Sequence, residues 1–151
     1  MALLSSADQE KLREAFKDMT RPVRVLFFTQ TFECETCAQT RQILDELPGL
    51  SGPPGASGKI SIEEVNLVLD QDRAKQYGVD RAPALALLYD DPDAKDSRIR
   101  FLGAPSGYEF VSLVQAVLLV GGRSSTLTES SRQRLAAVDR PITLQVFTTP
   151  T

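Results

Sequence analysis

The only two cysteines of this 151-residue chain, Cys34 and Cys37, are separated by two residues and follow closely on an apolar run. That run, VRVLFFT at 23–29, combines β-branched and aromatic residues and predicts a buried strand. Beyond the cysteines, apolar residues recur at helical spacing from Ile43 onward and predict a helix. The cysteine pair is therefore expected at a strand-to-helix turn, on the first turn of the helix.

Three interpretations of the pair are open: a redox dithiol, half of a metal site, or two buried core thiols. The chain has no histidine, and a four-ligand zinc site normally draws on cysteine and histidine together. Cys34 and Cys37 would need carboxylates or a second chain to complete such a site. Core thiols are disfavoured by the polar neighbours Glu33, Glu35 and Thr36. The spacing favours a redox dithiol that needs neither a metal nor an organic cofactor.

Periodicity along residues 1–122 predicts the order helix, strand, helix, strand, helix, strand, strand, helix. The strand–helix–strand unit implies a right-handed crossover and parallel pairing. The last two strands are separated by a short polar turn and predict an antiparallel hairpin. The fold class is therefore α/β, with a mixed four-stranded sheet flanked by helices and an extra amino-terminal helix.

Helix boundaries are predicted from capping residues and prolines. Ser6 with Gln9, and Ser106 with Glu109, have the spacing of capping boxes at the starts of the first and last helices. Pro48 is expected to stop the helix that follows the cysteines, because proline cannot donate the next backbone hydrogen bond.

Residues 123–151 repeat the beginning of the chain. Each copy has an amphipathic helix, the dipeptide Arg-Pro at 21–22 or 140–141, and an apolar run at 23–29 or 142–147. A repeat of this kind predicts a second unit of the same fold. We expect that unit to be cut off at the end of the sequence, with a second cysteine pair a residue or two further on.

Charge and hydropathy narrow the class of partner. The net charge of −3 gives no electrostatic footprint for nucleic acid or an anionic membrane, so neither is expected as a partner. No run approaches the roughly 18 apolar residues of a membrane span. The start of the chain has no basic region of the secretory type, and the expected location is cytoplasmic. In that compartment a cysteine pair is more often catalytic or metal-binding than a structural staple.

A Cys-x-x-Cys that opens a helix after a strand, followed by YGVDRAP at 77–83, resembles the thioredoxin fold. The leading helix, RAPALAL, FLGAPSGYEF and the onset of a second copy resemble more closely the two-domain glutaredoxin-like protein disulfide oxidoreductases. A related arrangement occurs in the flavoprotein component of alkyl hydroperoxide reductase. The resemblance assigns residues 1–122 to a redox domain. It assigns 123–151 to the linker, first helix and first strand of a truncated second thioredoxin-like repeat.

The resemblance implies roles for individual residues. Cys34 would be the attacking thiol, Cys37 the resolving thiol, and Pro83 a cis-proline that lies against the cysteines. Ala82 would then offer its backbone N–H and C=O to an extended substrate strand beside Cys34.

Glu33 and Glu35 are expected to modulate the pKa of the thiols. A helix start favours the thiolate, whereas the two carboxylates oppose it, and the expected thiol pKa is about 6.5–8. A less stabilised thiolate favours the disulfide, so the dithiol is expected to be a reductant or an isomerase-like exchanger.

The sequence therefore predicts a thiol–disulfide oxidoreductase that acts on protein disulfides and draws electrons from a thioredoxin-reductase-like flavoprotein. Two alternatives remain. One is a non-catalytic thioredoxin-fold interaction module, because the Glu-Thr insert between the cysteines is unusual. The other is an electron-relay domain that serves a peroxidase system.

Overall fold

The computed structural model describes residues 4–53, 56 and 58–149 of the chain. Its elements appear in the predicted order over the first 122 residues, with one more helix after them. They are α1 Ser6–Phe16, β1 Val23–Thr29, α2 Cys37–Leu50, β2 Ile60–Asn66, α3 Gln71–Gln76, β3 Ala84–Asp90, β4 Ala94–Leu102, α4 Tyr108–Val120 and α5 Glu129–Ala136.

The strands form one four-stranded sheet in the order β2-β1-β3-β4. β1 runs parallel to β2 and antiparallel to β3, and β3 runs antiparallel to β4. In this register Phe27 of β1 lies opposite Glu64 of β2 and Leu85 of β3. The predicted mixed sheet is confirmed.

Both faces of β1 are buried, which explains why its sequence is almost continuously apolar. Val25 and Phe27 pack into a core with α1, α2 and α4, whereas Leu26 and Phe28 pack into a second core with α3. Burial of a large apolar side chain stabilises the fold by roughly 1.5–3 kcal/mol, so this strand anchors both layers.

The sheet brings several chain segments to one edge. β1 and β2 end there, β3 begins and β4 ends there, and α2 starts just beyond β1. Two backbone hydrogen bonds tie the segments together: Leu67 N–H donates to Thr29 (2.8 Å), and Gly103 N–H donates to Pro83 (2.9 Å). The cysteines therefore lie where four segments of the chain converge.

The amino-terminal cap of α1 differs from the prediction by one residue. Ser5, not Ser6, is the N-cap, and its hydroxyl accepts a hydrogen bond from the Asp8 N–H at 3.2 Å. Gln9 donates its side-chain amide to the Leu4 carbonyl at 3.3 Å instead of closing a capping box with Ser6. Serine is a favourable N-cap at either position, so the capping-box spacing of Ser6 with Gln9 does not decide which serine caps the helix.

Two further boundary predictions were wrong. The Ser106–Glu109 capping box does not form, because α4 begins after Gly107, whose φ of +59° favours glycine. Pro48 lies inside α2 rather than ending it, and the helix continues to Leu50. The Pro48 carbonyl still accepts a hydrogen bond, from the Ser51 N–H, and burial of Leu50 stabilises the last residues of the helix.

The segment after α4 contains the predicted helix but not the predicted strand. Thr128 caps α5, and its hydroxyl accepts from the Ser131 N–H at 3.2 Å. Residues 138–149 have neither helix nor strand, and the side chain of Phe147 is 88% exposed. A strand needs a neighbouring backbone to pair with, and this segment makes no ladder within the described residues.

Within the described ranges, no helix is both long and apolar enough to span a membrane.

Candidate redox site

Cys34 and Cys37 are joined by a disulfide, with their Cα atoms 5.4 Å apart. Cys37 is the first residue of α2, whereas Cys34 lies in the turn before it. The Cys37 N–H donates to the Cys34 carbonyl at 3.4 Å, which closes the turn around the disulfide. The prediction that both cysteines lie on the first helical turn holds for Cys37, and Cys34 lies just outside it.

The two sulfur-bearing residues differ in their access to solvent. Cys37 is only 7% exposed and belongs to the core between the sheet and α2. Cys34 is half-buried at the rim of that core. An incoming thiol or disulfide therefore meets Cys34 first. The turn already uses the Cys37 N–H, but Thr36 makes no side-chain capping bond, so the N–H groups that follow Cys37 in the first turn of α2 stay available to a sulfur anion.

A buried hydroxyl on α2 supports the turn between the cysteines. Thr40 is fully buried, and both its side-chain O–H (2.8 Å) and its backbone N–H (2.9 Å) donate to the Thr36 carbonyl. Sequence reasoning missed Thr40. Its signal was a polar residue three positions after Cys37, on the face that the helix buries.

Glu33 and Glu35, predicted to modulate the thiols, flank Cys34 and are exposed. Glu33 has a φ of +57°, and the Gln30 side-chain amide donates to its carbonyl at 3.3 Å. Their exposure means that solvent and salt screen much of their effect on the sulfurs.

The predicted substrate-binding residues lie on the β3 side of the disulfide. The Ala82–Pro83 peptide bond is cis, as the resemblance implied. Pro83 is buried, and Ala82 packs against the same core cluster as both cysteines. Within the described part of the chain, the Ala82 backbone makes no hydrogen bond of its own.

A cavity of about 290 Å³ opens on the β2 side of the disulfide. Its lining includes Thr29, Cys34, Cys37, Arg41, Glu64 and Asn66. Arg41 and Glu64 form an ion pair across it. Sequence reasoning did not identify this pair. Arg41 follows Cys37 by four residues and therefore shares its helix face. The strand register puts Glu64 beside Phe27, on the sheet face that α2 covers, and only the packing of α2 on that face brings the two charges together.

Among the residues that the structure describes, no group of three or more histidine, cysteine, aspartate or glutamate side chains is placed to hold a metal ion.

Comparisons with known proteins agree on the fold. No protein-family model matches the chain. A protein disulfide oxidoreductase from Aeropyrum pernix is 24% identical, with a TM-score of 0.74 over 88% of this chain and 54% of that one. The N-terminal N/C domain of an alkylhydroperoxide reductase from Enterococcus faecalis is 26% identical, with a TM-score of 0.77 over 91% of this chain and 62% of that one.

A probable thioredoxin from Methanothermobacter thermautotrophicus is 27% identical over 81 residues, which are 54% of this chain and 80% of that protein. The chain thus spans 54% and 62% of the two solved structures it resembles. The chain has the thioredoxin fold. A thioredoxin fold with a closed Cys-x-x-Cys disulfide at its sheet edge supports the class of thiol–disulfide oxidoreductases.

Proposed function

We propose that the chain is a thiol–disulfide oxidoreductase that acts on protein disulfides through Cys34 and Cys37. The observation that carries the proposal is the asymmetric disulfide at the sheet edge, where Cys34 is half-buried at the rim and Cys37 is buried behind it. This arrangement suits a two-step exchange in which one sulfur meets the substrate and the other releases it.

In the reductive direction, the Cys34 thiolate attacks one sulfur of a substrate disulfide, and the second substrate sulfur leaves as a thiolate. The resulting mixed disulfide joins Cys34 to the substrate. Cys37 then loses its proton to solvent and attacks the Cys34 sulfur, which releases the remaining substrate thiolate. Two electrons pass from the dithiol to the substrate, and the chain is left with the Cys34–Cys37 disulfide.

Ala82 and Pro83 are proposed to hold the substrate backbone. The free N–H and C=O of Ala82 suit an extended peptide that adds beside the disulfide. Buried Pro83 fixes the path of this segment at the core. Alanine offers little side-chain selectivity, so we expect a broad range of peptide sequences to be accepted.

Glu33 and Glu35 are proposed to weaken the thiolate slightly and so to favour the disulfide form. That makes the reduced chain a donor of electrons rather than a strong oxidant. We propose that a thioredoxin-reductase-like flavoprotein restores the dithiol, and that the reaction takes place in the cytoplasm, where thiols are kept reduced.

A second candidate function is electron relay to a peroxidase system. The likeness to the N-terminal N/C domain of an alkylhydroperoxide reductase, at 26% identity over most of this chain, favours it specifically. The relay would use the same two cysteines but would serve one dedicated partner. A strong kinetic preference for a single partner protein over insulin would indicate the relay.

We further propose that residues 123–151 begin a second thioredoxin-like repeat. Aligned on the two Arg-Pro dipeptides, apolar residues that are exposed after α4 match residues that are buried in the first unit. The matched pairs are Phe16 with Leu135, Met19 with Val138, Val23 with Ile142, and Val25 with Leu144. Exposed apolar side chains of this kind need a core to cover them. The residues that they match in the first unit are covered by the core of a thioredoxin fold, so a second core of the same kind is expected to cover these.

Reduction of insulin by dithiothreitol tests the main proposal. The parent chain is expected to accelerate insulin precipitation, whereas Cys34→Ser is expected to match the reaction without protein. Arg13→Gln, an exposed change on α1, serves as a control and is expected to match the parent. Equal rates for parent and Cys34→Ser would instead favour the non-catalytic interaction module.

A further inference from the structure

The ion pair in the cavity beside the disulfide has no part in the exchange steps above. Among the described residues that line this cavity, the charged ones are Arg41 and Glu64. Arg41 lies one turn beyond Cys37 on the same face of α2. Glu64 lies on β2 beside Phe27, on the sheet face that α2 covers. Both charges therefore share one open space with the two sulfurs.

Reduction changes the charge balance of this space. The disulfide is neutral, whereas a reduced and ionised Cys34 places a negative charge at the cavity rim. Among the described residues that line the cavity, the cation is Arg41, and Glu64 already offsets part of its charge. Both side chains are nearly half exposed, at 46% and 45%, so their effect on the sulfur is screened but not abolished.

Charged groups on the other segments around the disulfide do not supply a second cation that would stabilise the Cys34 thiolate. Glu33 and Glu35 are acidic and exposed, and both oppose the thiolate. On the β3 side, Asp80 and Arg81 form an exposed ion pair with each other, which leaves little net charge there. Arg41 is thus the cation placed to favour the Cys34 thiolate.

We infer that the Arg41–Glu64 pair sets the acidity of the Cys34 thiol: Arg41 stabilises the thiolate, and Glu64 limits that stabilisation. Both residues act through Cys34. The inference rests on the proposed function, since the thiolate is the form that attacks a disulfide. It makes a directional prediction, because removal of each partner shifts the thiol pKa in opposite directions.

The test measures the rate of Cys34 alkylation by iodoacetamide against pH in the reduced full chain, on a Cys37→Ser background so that one thiol reacts. A charge that lines the same partly solvated cavity as a thiol shifts its pKa by about 0.5–1 unit. Arg41→Gln is expected to raise the Cys34 pKa by that amount, and Glu64→Gln to lower it. The Cys34 pKa of the double variant is expected to fall between those of the two single variants, and Arg41→Lys is expected to keep most of the parent pKa.

Glu63→Gln is the matched control, since the same substitution one residue earlier lies on the opposite face of the sheet. It is expected to leave the Cys34 pKa unchanged. Shifts of the same sign for Arg41→Gln and Glu64→Gln, or no shift in either, would overturn the inference. A merely structural role would lower the urea midpoint of the variants without opposed pKa changes.

The proposed function is checked separately by exchange of the reduced parent chain with glutathione disulfide. Failure to form the Cys34–Cys37 disulfide there would refute the exchange chemistry itself. Successful exchange without opposed pKa shifts would refute only the role given to Arg41 and Glu64.

Discussion

Replacement of Arg24 by methionine tests a charge cluster that joins three strands and α3 at the sheet end away from the disulfide. Arg24 on β1 donates to Asp90 of β3 at 2.8 Å and to Glu63 of β2 at 3.2 Å. Arg73 of α3 also pairs with Glu63. Methionine keeps the apolar stem of Arg24 and removes only its charge and donors.

The expected loss of stability depends on which charged partners Glu63 and Asp90 keep when Arg24 is replaced. Glu63 keeps Arg73 but loses its pair with Arg24, and Asp90, whose side chain is only 19% exposed, loses the Arg24 guanidinium as well. A charged hydrogen bond contributes about 1.5–3 kcal/mol when buried, and exposed pairs contribute about 0.2–1 kcal/mol. Arg24 is about one-third exposed, so solvent screens its pairs, and we expect Arg24→Met to lower the free energy of unfolding by about 1–2 kcal/mol. For a chain of this size that lowers Tm by about 2–8 °C.

The dependence on pH gives the prediction a sign. Burial raises the pKa of Glu63, but hydrogen bonds and charge from Arg73 and Arg24 outweigh it, and the pKa lies below its usual value. The pKa of Arg24 is raised, chiefly by its hydrogen bond to Asp90. A carboxyl with a depressed folded pKa stabilises the fold above its unfolded pKa of about 4.3 and ceases to do so as the pH falls through the folded pKa.

Differential scanning calorimetry of parent and Arg24→Met from pH 7 to pH 3 measures this dependence. The gap in Tm is expected to be largest near neutral pH, to narrow below about pH 4, and to shrink in 1 M salt. Arg13→Met on α1 supplies an exposed control with no expected change. A gap that stays constant down to pH 3 and in high salt would show that Arg24 acts by packing, not by charge.

Three further predictions concern the site and the core. Cys37→Ser is expected to accumulate a mixed disulfide with protein substrates, visible by non-reducing electrophoresis, and Cys34→Ser is expected to form none because Cys37 is buried. Thr40→Val removes the hydroxyl bond to Thr36 but leaves the backbone bond, so urea unfolding is expected to show a loss of about 0.5–1.5 kcal/mol; a more stable variant would contradict this. Leu87→Ala in the fully buried part of β3 is expected to cost about 2–5 kcal/mol by the same assay, and a loss below about 1 kcal/mol would contradict the packing described here.

The features that sequence predicted well are those that local patterns specify. The largely apolar run of β1 predicted a buried strand, and the two cores show that both of its faces are covered. The Cys-x-x-Cys spacing predicted that Cys34 and Cys37 could close a disulfide, which they do. In each case the signal lies within a few neighbouring residues.

The features that the sequence did not predict are of two kinds. Some depend on tertiary contacts, and others depend on which of two equally suitable residues the backbone uses to begin a helix. The pairing of Arg41 with Glu64 depends on the packing of α2 against β2, which no local spacing encodes. The start of α4 is decided by the positive φ of Gly107, although the Ser106–Glu109 spacing also fits a cap. The strand predicted over residues 142–147 is a different case: it belongs to the proposed second repeat, the described residues hold no strand that pairs with it, and it stays a prediction.

The reduction potential of the Cys34–Cys37 disulfide tests the central claim, an accessible and reversible dithiol, most directly. The chain is equilibrated in dithiothreitol or glutathione buffers of known potential, and the reduced fraction is read by thiol alkylation and mass spectrometry. We expect a single two-electron transition between about −180 and −270 mV, the range of enzymes that donate or exchange disulfides. A value below about −300 mV, typical of a structural disulfide, would contradict the redox role, and a value near −120 mV would contradict the reducing direction.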